Sequence, residues 1–289
     1  MSAGTPLVVH FAGKPRATAL WDFGFAGTSL AHGAFPVDEA GLGCLRLVVP
    51  DVRRRIVCEL LLASDGAVAR RVVVIYPESL LADAAGRIRE QRIGVLDPTG
   101  SVQRALGAER IVFEDLAPQI ARDYFDGNMI ILAGHKDVDA LADVCRRLNS
   151  RVRAGTNVLL LNPPTRWSAW GLGRVELAPP ESSPVQVAPE LGSLVPAEDL
   201  GDGAWTAVLE AKRAVEVLAW YEMPAQPGGV RAEGGEAARR MLLAARAVGR
   251  GRIVVSLLPQ TEFPDTSVVG RGLLGEMVLW LMRPLAPNS

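Results

Sequence analysis

Ile93-Gly94-Val95-Leu96, Ile111-Val112-Phe113, Met129-Ile130-Ile131-Leu132-Ala133 and Asn157-Val158-Leu159-Leu160-Leu161 are four short, almost wholly apolar runs. Runs of this length without polar alternation predict strands buried on both faces, as in parallel sheets covered by helices. Between the third and fourth runs the chain has helical spacing. Val138, Leu141, Cys145, Leu148 and Val152 recur along one stripe of a segment from about Val138 to Arg153, so that stripe is expected to face the core. Strands alternating with helices predict a flavodoxin-like α/β layer. In such layers the chemistry sits in the loops at the carboxyl ends of the strands. The fourth run ends in Asn162-Pro163-Pro164. A Ser or Cys on a sharp strand-to-helix turn, the G-x-S-x-G arrangement that exposes a nucleophile, is not found there.

The residues before 93 have another texture. Leu7–Phe11, Ala19–Phe23, Leu45–Val49, Ile56–Leu62 and Val68–Tyr76 are short runs separated by turn residues, including Pro50-Asp51 and Ser64-Asp65-Gly66. That spacing predicts a small antiparallel sandwich over residues 1–77. Within Ile56–Leu62 both alternating faces are largely apolar, which predicts a strand in a well-covered sheet. Residues 78–92 form a polar connection with helical character, and 93–289 make the second domain. Inside it, 163–203 is rich in Pro, Gly, Ser and Glu, an irregular insertion too long for an ordinary loop. Short edge strands are expected at Arg174–Leu177 and Val185–Val187. Further strands are expected at Ala204–Leu209, Ala214–Tyr221 and Ile253–Leu258, with a Gly/Pro loop over Pro224–Gly235. Helices are expected from about Glu236 to Val248, stopped by Gly249-Arg250-Gly251, and over Gly272–Met282.

Composition excludes several classes. With 49% hydrophobic and 22% charged residues the chain is a folded one, and its formal net charge of −1 gives no global attraction to nucleic acid or anionic lipid. Lys14, Lys136 and Lys212 are the only lysines among 31 basic residues; alongside abundant Ala, Gly and Pro, this bias reads as a GC-rich genome. Cys44, Cys58 and Cys145 are widely spaced with no C-x-x-C and no Cys/His cluster, which argues against a disulfide scaffold and a structural metal site. They read as packed, reduced thiols, and no cofactor is implied. No signal-peptide pattern opens the chain and no apolar run nears the roughly 18 residues that span a bilayer. The default compartment is therefore the cytoplasm, unless the chain is a piece of a longer precursor.

Two resemblances extend this reading. His10-Phe11, Ala19-Leu20-Trp21-Asp22, Ala31-His32-Gly33-Ala34-Phe35, Leu45–Val52 and Val73-Val74-Ile75-Tyr76-Pro77 resemble the immunoglobulin-like domain of bacterial glycoside hydrolase family 2 proteins. Met129–Gly134 with its helix, Asn157–Leu161 and the late Gly249-Arg250-Gly251-Arg252-Ile253-Val254-Val255 resemble the class I glutamine amidotransferase-like fold. That fold is also seen in trehalose-utilisation proteins and the β-galactosidase trimerisation domain. The amidotransferase resemblance implies a Cys on the turn after the strand matching Asn157–Leu161 and a later His-x-Glu. Here that turn holds Asn162-Pro163, and no His follows His135. A thiol needs a base to become an activated nucleophile. The family 2 resemblance implies two carboxylates on a barrel, and no barrel-length segment exists.

Together the resemblances imply a non-catalytic accessory module that oligomerises or docks on a glycoside hydrolase subunit or a saccharide. The alternative is an enzyme using Asp97, His135 and Asn162 in the strand-end loops, since His titrates near neutrality. Other ligand candidates are Thr99, Gly134 and Lys136 in the same loops. Trp167 and Trp170 are candidates too, because indole faces suit pyranose C–H groups. Thr99 or Ser101 is placed to cap one helix and Asp137 the next. For each of these residues a plain role in capping, turning or packing stands beside the functional one. His10, His32, Trp21, Trp205, Trp220 and Trp280 read as structural or surface residues, and Arg53-Arg54-Arg55 as a solvated cluster.

Overall fold

In the computed structural model every strand of the first 80 residues pairs antiparallel. β1 (Pro6–Ala12) pairs with β4 (Leu42–Val48), and β2 (Thr18–Phe25), β3 (Thr28–Pro36), β5 (Ile56–Ser64) and β6 (Ala67–Ile75) form a sheet in the order β3-β2-β5-β6. The structure describes residues 6–65, 67–117, 125–182, 184–189, 191, 195–200, 204–210, 215–222 and 239–283. The loop expected over Pro224–Gly235 and the start of the helix expected from Glu236 lie outside them. The chain divides into two compact units, 1–80 and 81–289.

In the first unit one core serves both sheets, built from Val9, Ala19, Phe23, Phe35, Leu45, Cys58, Leu60 and Ile75. Phe11 meets Phe35 edge to face at 6.1 Å, the arrangement ring quadrupoles favour. The β2–β3 hairpin turns on Ala26 and Gly27, both left-handed at φ 48° and 80°, as a two-residue turn matched to strand twist requires. The sequence reading missed β3 as a strand. It also expected β5 to be covered on both faces. Cys58, Leu60 and Leu62 are indeed buried, but Val57 and Leu61 are exposed on the opposite face. Leu20, Val68 and Val72 of the neighbouring strands are exposed as well.

The second unit begins with α1 (Ala82–Arg89), then β7 (Ile93–Leu96), α2 (Ser101–Ala108), β8 (Glu114–Asp115), β9 (Met129–Leu132), α3 (Val138–Ala154) and β10 (Asn157–Leu161). β11 (Arg174–Ser182), β12 (Gln186–Val187), β13 (Ala204–Glu210), β14 (Glu216–Glu222), β15 (Arg239–Val248), β16 (Gly251–Ser256) and α4 (Val268–Leu281) follow. The sheet runs β11-β13-β15-β16-β10-β9-β7-β8, with β14 also on β15 and β12 on β14. Only the β16-β10-β9-β7-β8 half is parallel. The rest is antiparallel, so the sheet is mixed where a parallel one was expected. Alternate side chains of the parallel strands enter two cores. Ile93, Val95, Met129, Ile131, Leu159 and Val254 join the α2 and α4 side. Ile130, Leu132, Val158, Leu160, Ile253 and Val255 join the α3 side. Burial on both faces explains why these runs carry no polar alternation.

In the second unit two element assignments differ from the sequence reading. Ile111–Phe113 is not a strand; the chain pairs with β7 only at Glu114 and Asp115. The expected helix ending at Val248 is a strand over its described part. Arg239–Val248 lies antiparallel between β16 on one side and β13 and β14 on the other. Ala244 and Ala245 both have 0% exposure, one in each core. Gly249 and Arg250 make the turn into β16. Among the described residues no helix is long and apolar enough to cross a membrane.

Candidate functional site

The loops after β7, β9 and β10 share one edge of the sheet. Asp97 is buried at the first, and its carboxylate is fully engaged. Oδ1 accepts from the Thr99 backbone N–H at 2.9 Å and from Thr99 Oγ1 at 2.6 Å, and Oδ2 accepts from the Val102 N–H at 2.7 Å. Gly100, left-handed at φ 72°, is the residue at the N-terminus of α2 and has no side chain to cap it, but Thr99 Oγ1 accepts from the Ser101 N–H at 3.4 Å. The expected contribution of Thr99 is thus joined by Asp97, which reaches over the turn to satisfy the orphan amide of Val102. Asp137 caps α3 as expected, accepting from Asp139 N at 2.9 Å and Ala140 N at 3.1 Å. Ser101 instead hydrogen-bonds Asp265, which also pairs with Arg104 at 2.6 Å. Those partners hold the Asp265 carboxyl below its usual range, although its own desolvation, the largest single effect, works upward.

The second loop packs on the first. Gly134 sits at φ 68°, and a β-carbon there would lie 2.7 Å from Thr99 Cγ2 and 2.8 Å from Asp97 Oδ1. His135 is half-buried, and its Nε2 is enclosed with no hydrogen-bond partner among the described residues. Burial lowers its pKa below the ordinary imidazole value, against the opposing pull of the Asp97 charge and a hydrogen bond with the Leu96 backbone. Lys136 is exposed. The structure thus brings Asp97, Thr99, Gly134 and His135 together.

Asn162, one strand further on, turns the other way. It has φ 45° immediately after β10, a left-handed conformation that only a few per cent of non-glycine residues adopt, Asn most readily. Its backbone N–H donates to Ser256 O at 2.7 Å. Its side-chain amide donates to Thr261 Oγ1 at 2.9 Å and Leu258 O at 3.3 Å. Thr261 Oγ1 in turn lies 3.0 Å from Ser256 Oγ, and both residues have 0% exposure. Asn162 is thus a strut between the end of β10 and the turn after β16.

The thiols lie elsewhere. Cys145 is buried in α3, and desolvation pushes its pKa up to about 12, with the Trp167 indole beside it working the other way. Cys58 is buried and also raised by desolvation, and Cys44 is exposed on β4. Trp167, a saccharide-stacking candidate from sequence, is wholly buried and offers no free face, whereas Trp170 is half-buried. The two rings meet at 64° with centroids 6.3 Å apart. Trp170 borders a cleft of about 490 Å³ together with Asn149, Arg153, Gly171 and Arg246. It lies at the end of α3 opposite Asp137, apart from the strand-end loops. Sequence gave no sign of Asn149, Arg153 or Arg246, since the first two lie on a solvated helix face and the third in a segment with helical spacing.

No family model matches the chain, and no curated protein does. Among solved structures it is similar to a β-galactosidase from Bacillus circulans sp. alkalophilus, at 12% identity and a TM-score of 0.39, over 69% of this chain and 32% of that one. It is similar also to a cytoplasmic protein from Salmonella typhimurium LT2, at 10% identity and a TM-score of 0.38, over 79% of this chain and 95% of that one. A β-glucuronidase from Parabacteroides merdae follows at 13% identity and a TM-score of 0.20, over 58% and 22%. The chain spans about a third (32%) of the β-galactosidase's length. At these scores the likenesses place the chain in no family.

Proposed function

We propose that the chain is a non-catalytic accessory module of the kind associated with glycoside hydrolases, an immunoglobulin-like sandwich followed by a degenerate amidotransferase-like unit, acting through association with itself or with a hydrolase subunit. One observation carries the reading. The turn after β10 has the left-handed backbone of a nucleophile elbow, yet it presents Asn162, whose amide is committed to Thr261 and Leu258. An amide nitrogen so engaged is no nucleophile, and the buried thiols of Cys58 and Cys145 sit in the cores. The exposed apolar side chains of Leu20, Leu61, Val68 and Val72 on one face of the first unit's sheet, interspersed with the Glu59–Arg70 ion pair, support a role in association, since exposed apolar surface rimmed by polar residues marks interaction sites.

The rival is an enzyme working from Asp97, His135 and Asn162. The unpartnered Nε2 of His135 beside Asp97 favours it. Against it, both Asp97 oxygens are already occupied by Thr99 and Val102. Sedimentation of the purified chain over a range of concentrations, beside a turnover screen on glycosides and glutamine, tests the two. Concentration-dependent association, or a stable complex with a co-purified hydrolase, with no turnover is the expected result. Turnover that His135→Ala abolishes at unchanged melting temperature overturns it, as does a strict monomer that forms no such complex.

A further inference from the structure

We infer that the cleft bordered by Trp170, Asn149, Arg153 and Arg246 binds a small acidic sugar, a pyranose bearing a carboxylate or a phosphate. The cleft is of ligand size, about 490 Å³, and its two titratable side chains are both cationic. Among the described residues the side chain of neither Arg153 nor Arg246 has a carboxylate partner or a hydrogen bond, although the chain as a whole carries a net charge of −1. Two guanidinium groups beside one cleft supply the planar, bidentate donors that suit carboxylate and phosphate.

The negative end of the α3 dipole is covered where the cleft meets it. The Arg151 carbonyl accepts from Gly155 N at 3.1 Å and from Thr156 N at 3.0 Å. That of Val152 accepts from Gly155 N at 3.0 Å, and that of Arg153 from Arg250 N at 3.1 Å. An incoming anion therefore meets arginines and not bare carbonyls.

The aromatic wall is held in place. Trp170 has φ 51°, an outlier for a bulky residue, and the buried Trp167 backs its ring. Gly171, at φ 69°, leaves room for Arg246: a β-carbon there would collide with the Arg246 guanidinium. The absence of that carbon lets the arginine lie against the Trp170-Gly171 backbone. One half-buried indole face suits the C–H face of a pyranose. The Asn149 amide offers a donor and an acceptor for ring hydroxyls. The inference goes beyond the association proposed above and uses none of the strand-end residues.

The test is calorimetric titration of the full chain at low ionic strength with glucuronate, glucose 6-phosphate, glucose, inorganic phosphate and AMP. Saturable binding of glucuronate or glucose 6-phosphate is expected, with glucose and inorganic phosphate about tenfold weaker or worse; which of the two acids binds more tightly identifies the anion. Arg246→Gln weakens binding about tenfold, Arg246→Lys less, and raising NaCl to about 0.5 M weakens it further. Arg153→Gln, on an exposed helix face, gives the same direction of change at an unchanged melting temperature. The assignment is overturned if no ligand saturates, if glucose binds as tightly as its acids, or if AMP or inorganic phosphate binds as well as they do. Natively melting Arg246→Gln and Arg153→Gln chains that bind like the parent sink it equally.

Discussion

Asn162 shows what a residue's backbone conformation says that its identity does not. From sequence it is an amide at the end of a buried strand. In three dimensions it keeps the left-handed turn and spends its side chain on Thr261 and Leu258. Asn162→Ala removes two hydrogen bonds and places a β-branchless but chiral residue in a conformation it resists, so a loss of about 2–3 kcal/mol is expected. Asn162→Gly loses the same bonds without the strain and should fall about 1 kcal/mol short of that loss. Urea midpoints of the two variants give the comparison, and equal losses would mean that position 162 is not left-handed. His135 makes a second residue-scale case. Burial holds its folded pKa below the unfolded value, so the unfolded chain binds the proton more tightly. The contribution of His135 is then intact above its unfolded pKa and is lost as pH falls through the folded pKa. Stability should therefore decline on acidification below about pH 7, as the unfolded chain takes up its proton first. His135→Gln should flatten that part of the decline, and a variant with the parent's full pH slope excludes His135 as its source. Asp97 was legible as a strand-end residue but not as the cap of α2. That role depends on Gly100 turning left-handed and bringing the Val102 amide to Oδ2, which no spacing rule encodes.

At the scale of elements, β7, β9, β10 and α3 were readable because their periodicities are unmixed: four or five buried apolar residues for each strand, one stripe for the helix. β15 was not. Arg239–Val248 is made of Arg, Met, Leu, Ala and Val, mostly good helix formers, and a strand buried on both faces lacks the alternation that would distinguish it from a helix. Pairing with β16, β13 and β14 overrides the propensity. The Gly249-Arg250-Gly251 stretch, read as a helix stop, is the hairpin turn that makes this pairing possible. Gly249 has φ 63°, and a β-carbon on it would lie 2.7 Å from both the Cα and the carbonyl oxygen of Arg153. Backbone atoms cannot swing aside, so Gly249→Ala adds overpacking to conformational strain, together about 2–4 kcal/mol. Gly27 is the internal control. It has φ 80° in the β2–β3 turn with nothing within 4 Å of the would-be carbon, so Gly27→Ala should cost only about 1–2 kcal/mol. Melting temperatures of both variants measure the difference. If the two fall equally, the close approach of the hairpin to the end of α3 is wrong.

For the whole molecule, the chain clusters into units 1–80 and 81–289, and the sequence changes texture between residues 77 and 93, from turn-punctuated short runs to strands alternating with helices. The mixed character of the second sheet was not legible there, because it depends on which side of β16 the late strands join, a choice made by long-range pairing. The division has an energetic consequence. The first unit has a core of its own, with Ala19, Cys58, Leu60 and Ile75 at 0% exposure, and all its strand pairs close within it. At 80 residues it is near the lower size at which burial alone offsets chain entropy. The second unit, with a two-sided sheet and two cores, is expected to be the more stable. Residues 1–80 and 81–289 produced separately should each unfold in urea as one cooperative step, the shorter at the lower midpoint. A piece 1–80 without a sigmoidal transition shows that its core is not self-sufficient.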